Sequence, residues 1–157
     1  MVDGVVIHEE DASKLQGVFT RFLDDSGARA VLLIERSGQL LASGGPADAL
    51  DTVSIAALAA GAFSSTGAMA KLLGESEFSV MFHQGEKKSL HVSTVGQHAI
   101  LLALFDEGTT VGMVRLFAKD AAWSIGAVLA ESRARPRRVG ALADPLAATE
   151  AGLDVAG

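Results

Sequence analysis

The side chains able to do chemistry are few and scattered. Four histidines occur, His8, His83, His91 and His98, and none stands in an HxH, HExxH or helical i, i+4 pair that would hold a metal. His91 and His98 flank one expected hairpin, a position where a histidine usually serves the fold. Carboxylates come as Glu9-Glu10, Asp24-Asp25 and Asp106-Glu107. Each pair falls at an expected helix end or turn, where solvation explains it better than acid–base work. "LASGGPAD" is glycine-containing but lacks the GxxxxGK[ST] pattern of a phosphate loop, and no GxSxG elbow is present. Ser64-Ser65 has no evident base beside it. With no cysteine in the chain, disulfides and thiolate metal sites are excluded, which fits a reducing compartment. The sequence therefore names no catalytic residue, no metal site and no cofactor.

The bulk properties narrow the classes further. A chain of 157 residues fits one domain with a real core. Its formal charge of −6 argues against a broad basic surface for nucleic acid. Arg133, Arg135, Arg137 and Arg138 are the one basic concentration, read as a solvated helix end that could touch an acidic partner or a membrane surface. No unbroken run of 18 apolar residues occurs, and "MVDGVVIHEED" lacks a basic n-region and a long apolar stretch. A secreted or membrane-spanning protein is not expected.

The elements that must position these residues follow from periodicity. In "DASKLQGVFTRFLDDSG", Leu15, Val18, Phe19, Phe22 and Leu23 recur at helical spacing, with Asp11 or Ser13 as cap and Gly27 past the end. "ARAVLLIE" and "QLLASGG" read as strands joined through "RSG", with Gly38 free to take a positive φ. A long helix follows over "DTVSIAALAAGAFSSTGAMAKLLGE", capped by Asp51 or Thr52 and closed at Gly74. "EFSVMFHQGEKK" reads as an extended or irregular connection. "SLHVSTV", "HAILLALF" and "VGMVRLF" read as three strands turned at Gly96-Gln97 and at "DEGTT", and "KDAAWSIGAVLAES" as the last helix. The order is α-β-β-α-β-β-β-α, an α/β sandwich with a five-stranded antiparallel sheet and helices on both faces. Residues from 133 onward read as a mobile tail, within which "PLAATEAGLDV" could form a short docking helix.

The central helix is unusual. Between Asp51 and Glu75 its only charged side chain is Lys71. At 100° per residue, Ile55, Leu58, Ala62, Met69 and Leu73 form one stripe, expected to pack on the sheet. Nearly opposite lie Val53, Ala57, Ala60, Gly61, Ser64, Gly67, Ala68 and Lys71, a flat and small face. An alanine-rich helix is also simply a good helix former. The preferred reading is that other polypeptides cover this face, because little charge must be desolvated there.

Taken together, "VLLIERSGQLLASGG", the central helix, "FHQGEKKSLHVSTVG" and "LLALFDEGTTVGMVRL" resemble the roadblock/light-chain superfamily, nearest its bacterial gliding and polarity branch. The similarity spans about residues 5–132, giving a roadblock domain over 1–132 and a tail over 133–157. The resemblance implies a homodimer with a sheet continuous across the two-fold axis and paired central helices. It also implies a small Ras-like GTPase of the MglA type docked on those helices, two roadblock chains per GTPase. Such a protein is a cytoplasmic GTPase activator, acting at a cell pole and without an arginine finger: it repositions the GTPase's own catalytic residues. By carry-over, Val53, Ala57, Ala60, Ser64, Ala68 and Lys71 are platform residues. Gly61, Ser89, Leu90, His91, Val92 and Ser93 are dimer-interface residues, with "SLHVSTV" as the joining edge strand. The superfamily also contains non-catalytic scaffold subunits, which fold alone does not separate from activators.

Overall fold

Leu15, Phe19 and Phe22 recur at three- and four-residue steps, so a helix over Glu9–Ser26 (α1) buries all three on one side. Glu9, Glu10 and Asp11 oppose the dipole at its start. Gly27 ends it at φ 78°, a left-handed value, donating its N–H to the Leu23 carbonyl. In this computed structural model, residues 7–46 and 50–134 are described. The expected tail segment, with Arg135, Arg137 and Arg138, lies outside them.

The remaining elements are β1 (Ala30–Glu35), β2 (Leu40–Gly44), α2 (Thr52–Leu72), β3 (Val80–Gln84), β4 (Ser89–Val95), β5 (Ala99–Phe105) and α3 (Val111–Ala134). The five strands form one antiparallel sheet in the order β2-β1-β5-β4-β3. Helices α1 and α3 cover one face, over Val31, Leu33, Leu101, Ala103 and Phe105. Helix α2 covers the other, over Leu32, Ile34, Val92, Ile100 and Leu102. Alternate residues of β1 and β5 serve the two layers, and all of Val31–Ile34 and Ala99–Ala103 are buried. The expected order and sandwich are therefore present.

Two segments differ from their expected assignment. "SVMFHQ" is not an irregular connection: Val80 to Gln84 pair in register with Ser93 to Ser89. "VGMVRLF" is not a strand but the first two turns of α3. The Thr110 hydroxyl accepts the Met113 N–H at 3.2 Å, an N-cap. From Val114 the buried positions run through Ala118, Ala121, Ile125 and Val128 at helical spacing. The local β-propensity of "VGMV" gives way to this longer period and its packing on α1. "DEGTT" thus links strand to helix. It is tied to α1 by the Thr109 hydroxyl, which donates to the Ser26 carbonyl at 2.6 Å.

The start of α2 follows the expected chemistry. The Asp51 carboxylate accepts the Ser54 N–H at 3.1 Å and the Ser54 hydroxyl at 2.7 Å. These bonds, the hydroxyl's first, hold its pKa below the usual carboxylate value. At the other end Gly74 (φ 85°) donates to Lys71 and Glu75 to Ala70, closing the last turn. Asp51→Ala should fray the first turn without unfolding the sheet. Hydrogen exchange at the Ser54 amide should accelerate at least tenfold while that of Leu102 is unchanged.

Candidate interaction surface

The face that α2 turns to the sheet is made of small residues. Ala56, Ala59, Ala60, Phe63 and Ala70 are its buried positions. Leu58 (73 % exposed), Met69 and Leu73, expected to line the sheet, point to solvent instead. The floor explains the difference. Leu32, Ile34, Ile100 and Leu102 already fill the layer, so the helix approaches through alanines, buries Phe63 and half-buries Ile55. Arg36 lies over that ring, 5.8 Å from its centroid.

The outward side of α2 has two flanks, separated by the helical step of 100°. One carries Leu58, Met69 and Leu72, the last 87 % exposed. The other carries Val53 (69 % exposed), Ala57, Ser64, Ala68 and Lys71, all exposed or nearly so. Ala60, expected among them, is 5 % exposed and belongs to the core. Helix α2 is 21 residues long with mean hydropathy 1.4 over 18 of them, enough to cross a bilayer by length and composition alone. Its alanine face, however, is committed to the sheet.

Beside the second flank lies a shallow cleft of about 590 Å³, bordered by Ser64, Gly67, Ala68 and Lys71 on α2 and by Arg36, Ser76 and Glu77 opposite. Arg36 was missed by a reading confined to α2. Its guanidinium donates to both Glu77 carboxylate oxygens, at 2.8 and 3.4 Å, and to the Gly96 carbonyl at 3.1 Å. The arginine nearest this surface is thus anchored to a carboxylate. Its position just after β1, as the first residue of the "RSG" turn, gave no hint that it reaches α2.

The second interaction feature is a free sheet edge. It is not β4, the strand expected to join two chains. β4 is bonded on both sides, to β5 and β3. Accordingly His91, Val92 and Ser93 are buried or nearly so within the single chain, Ser89 and Leu90 half-buried, while Gly61 is exposed on α2. The outermost strands are β2, paired only to β1, and β3, paired only to β4 and next to β4 in the sheet. Val80 and Phe82 of β3 remain more than a third exposed, Phe82 stacked on Phe105 at 6.1 Å.

His91 faces α3, where Arg115 and Lys119 share a cavity with it and with Ser93 of its own strand. Burial first, then the Arg115 charge, holds the imidazole below the ordinary histidine value of 6.5. The unfolded chain therefore takes up this proton before the folded one does. The stability His91 contributes is fully present above pH 6.5 and declines as pH falls below it. Urea midpoints should drop between pH 7.5 and 5.5, and His91→Gln should flatten that slope. Among the described residues no three of His, Asp or Glu gather as a metal site.

Comparison with known proteins accords with this geometry. The Roadblock/LC7 domain model matches residues 14–105. MglB of Myxococcus xanthus is 38 % identical, covering 81 % of this chain and 96 % of that one, with a TM-score of 0.75. The gliding protein MglB of Thermus thermophilus is 35 % identical, over 83 % and 99 %, at a TM-score of 0.77. An MglB with a tetrameric arrangement is 34 % identical over the same shares, at 0.79. Curated protein sequences give no match.

Proposed function

The chain belongs to the Roadblock/LC7 family, and from that premise we propose that it is a homodimeric activator of a small Ras-like GTPase of the MglA type. The observation that carries this reading is the outward side of α2, which exposes Val53, Leu58, Met69 and Leu72 beside small uncharged neighbours. Apolar surface extending over several helical turns marks a binding site. Two flanks and the edge strand β3 serve two purposes. Strand β3 pairs with β3 of a second copy, which satisfies its unpaired backbone groups. The Leu58–Met69 flank faces the second copy's helix, and the Ser64–Lys71 flank of each chain meets the GTPase. Similarity to MglB at 34–38 % identity supports the choice of partner.

Activation in this arrangement works by selection. A surface that binds the GTP-bound form more tightly than the GDP-bound form shifts the GTPase toward its hydrolytic conformation. The chain supplies no arginine finger from α2, which contains no arginine, and Arg36 is held by Glu77. The rate gain, worth roughly 10³–10⁵ where an arginine finger operates, then rests on groups of the GTPase itself.

The test is GTP hydrolysis by an MglA-type GTPase alone and with increasing amounts of this protein. Acceleration saturating at two chains per GTPase is the expected result. Saturable binding without acceleration would make the protein a scaffold subunit instead.

A further inference from the structure

On the sheet face away from α2, α3 and the β3–β4 hairpin leave a cavity of about 450 Å³. Its contents set it apart. Arg115, Lys119 and Trp123 follow one another at four-residue steps on α3 and line one wall. His91 and Ser93 line the wall opposite. His91 is 2 % exposed and Ser93 8 %, yet both imidazole nitrogens and the Ser93 hydroxyl lack a hydrogen-bond partner among the described residues. Buried polar groups are ordinarily paired, because leaving them bare forfeits the bonds they made to water. No carboxylate lines the cavity, and among the described residues neither cation has an acidic partner.

We propose that this cavity is a binding site for a phosphate monoester, held by Arg115, Lys119, Ser93 and His91 with its organic group against Trp123. The charge decides for phosphate over carboxylate: two unpaired cations match a dianion and leave a surplus against a monoanion. The donors agree. A guanidinium fork, an ammonium, a hydroxyl and one imidazole N–H suit the several acceptor lone pairs of a phosphate group. The size decides for an ester, since the cavity falls in the range of small-molecule pockets and far exceeds a bare ion. Trp123, 83 % exposed at the rim, offers a flat wall for an unsaturated group. The site lies across the sheet from α2 and does not depend on the GTPase reading.

Trp123 is the only tryptophan in the chain, so its fluorescence reports on this site alone. The full-length protein is titrated at fixed ionic strength with phenyl phosphate, inorganic phosphate and benzoate, with excitation confined to tryptophan. Phenyl phosphate is expected to give a saturable change at millimolar concentration or below. Arg115→Gln and Lys119→Gln should each weaken it about tenfold or more with unchanged thermal midpoints, and Ser93→Ala about threefold. Phosphate binding should also raise the pKa of His91 in nitrogen-detected NMR, because a dianion favours imidazolium. Inorganic phosphate binding at least as tightly as phenyl phosphate would keep the anion site but overturn the ester. The proposal falls entirely if neither phosphate saturates, if benzoate binds equally well, or if the Arg115 and Lys119 variants bind like the wild type.

Discussion

On the proposed function, Ser64→Arg and Ala68→Arg are each expected to leave the protein folded and self-associated and to weaken its binding to an MglA-type GTPase by about a hundredfold or more. Both positions lie on the small flank of α2, at the cleft bounded by Arg36 and Glu77. Neither touches the core, and arginine is a good helix former, so the isolated protein has no reason to unfold. In the complex the new guanidinium would be pressed into a flat contact where the carboxylate across the cleft, Glu77, is already held by Arg36. An uncompensated buried charge costs about 3–5 kcal/mol. Calorimetric titration against the GTP-bound partner, with sedimentation of each variant alone, separates lost docking from lost assembly. Variants that bind like the wild type would place the platform elsewhere.

Phe63→Ala acts on the fold instead. Phe63 is the one large side chain of α2 that is fully buried against the sheet, 5 % exposed among alanines. Its removal opens a cavity over Ile100 and Leu102 that alanines cannot collapse into, and takes away the ring beneath Arg36. The expected loss is about 3–5 kcal/mol, a large share of the roughly 5–15 kcal/mol typical of a whole domain. Urea unfolding measures it. Phe63→Leu, which keeps most of the volume, should recover more than half. A loss below about 1 kcal/mol would mean that α2 is held by its alanines alone.

These two residues mark where the sequence could be read and where it could not. Punctuation was legible: Gly27, Gly38 and Gly74 all take positive φ where a helix or hairpin had to end, and Asp51 caps α2. These are local effects, decided by a few neighbouring atoms. The facing of α2 was not local. Ranking residues by apolarity assigned Leu58, Met69 and Leu73 to the sheet, but closeness of approach, set by Leu32 and Ile100 on other strands, selected alanine. The same helical-wheel reading placed Ala60 outside. The strand errors share a cause. "VGMVRLF" has strand-like composition, and only its continuation to Val128 reveals the helical period. "SVMFHQ" alternates weakly because neither face of β3 is buried, Met81 alone reaching half-burial. Sheet order, which moved the free edge from β4 to β3, depends on pairings with no trace in local sequence. For the interaction surface, the chain announced that α2 is uncharged but not which of its sides is free.

The layout of the sheet also sets a timetable for synthesis. Val92 of β4 and Ile100 and Leu102 of β5 complete the floor that β1 begins beneath α2, yet 33 residues separate the end of α2 at Leu72 from the end of β5 at Phe105. At a ribosomal pace of about 5–20 residues per second, that interval lasts roughly 2–7 s. Throughout it a greasy 21-residue rod stands in the exit vestibule with only the first hairpin to lean on. The apolar side of α2 is therefore completed late in synthesis, and slow codons placed between the two elements would lengthen the delay.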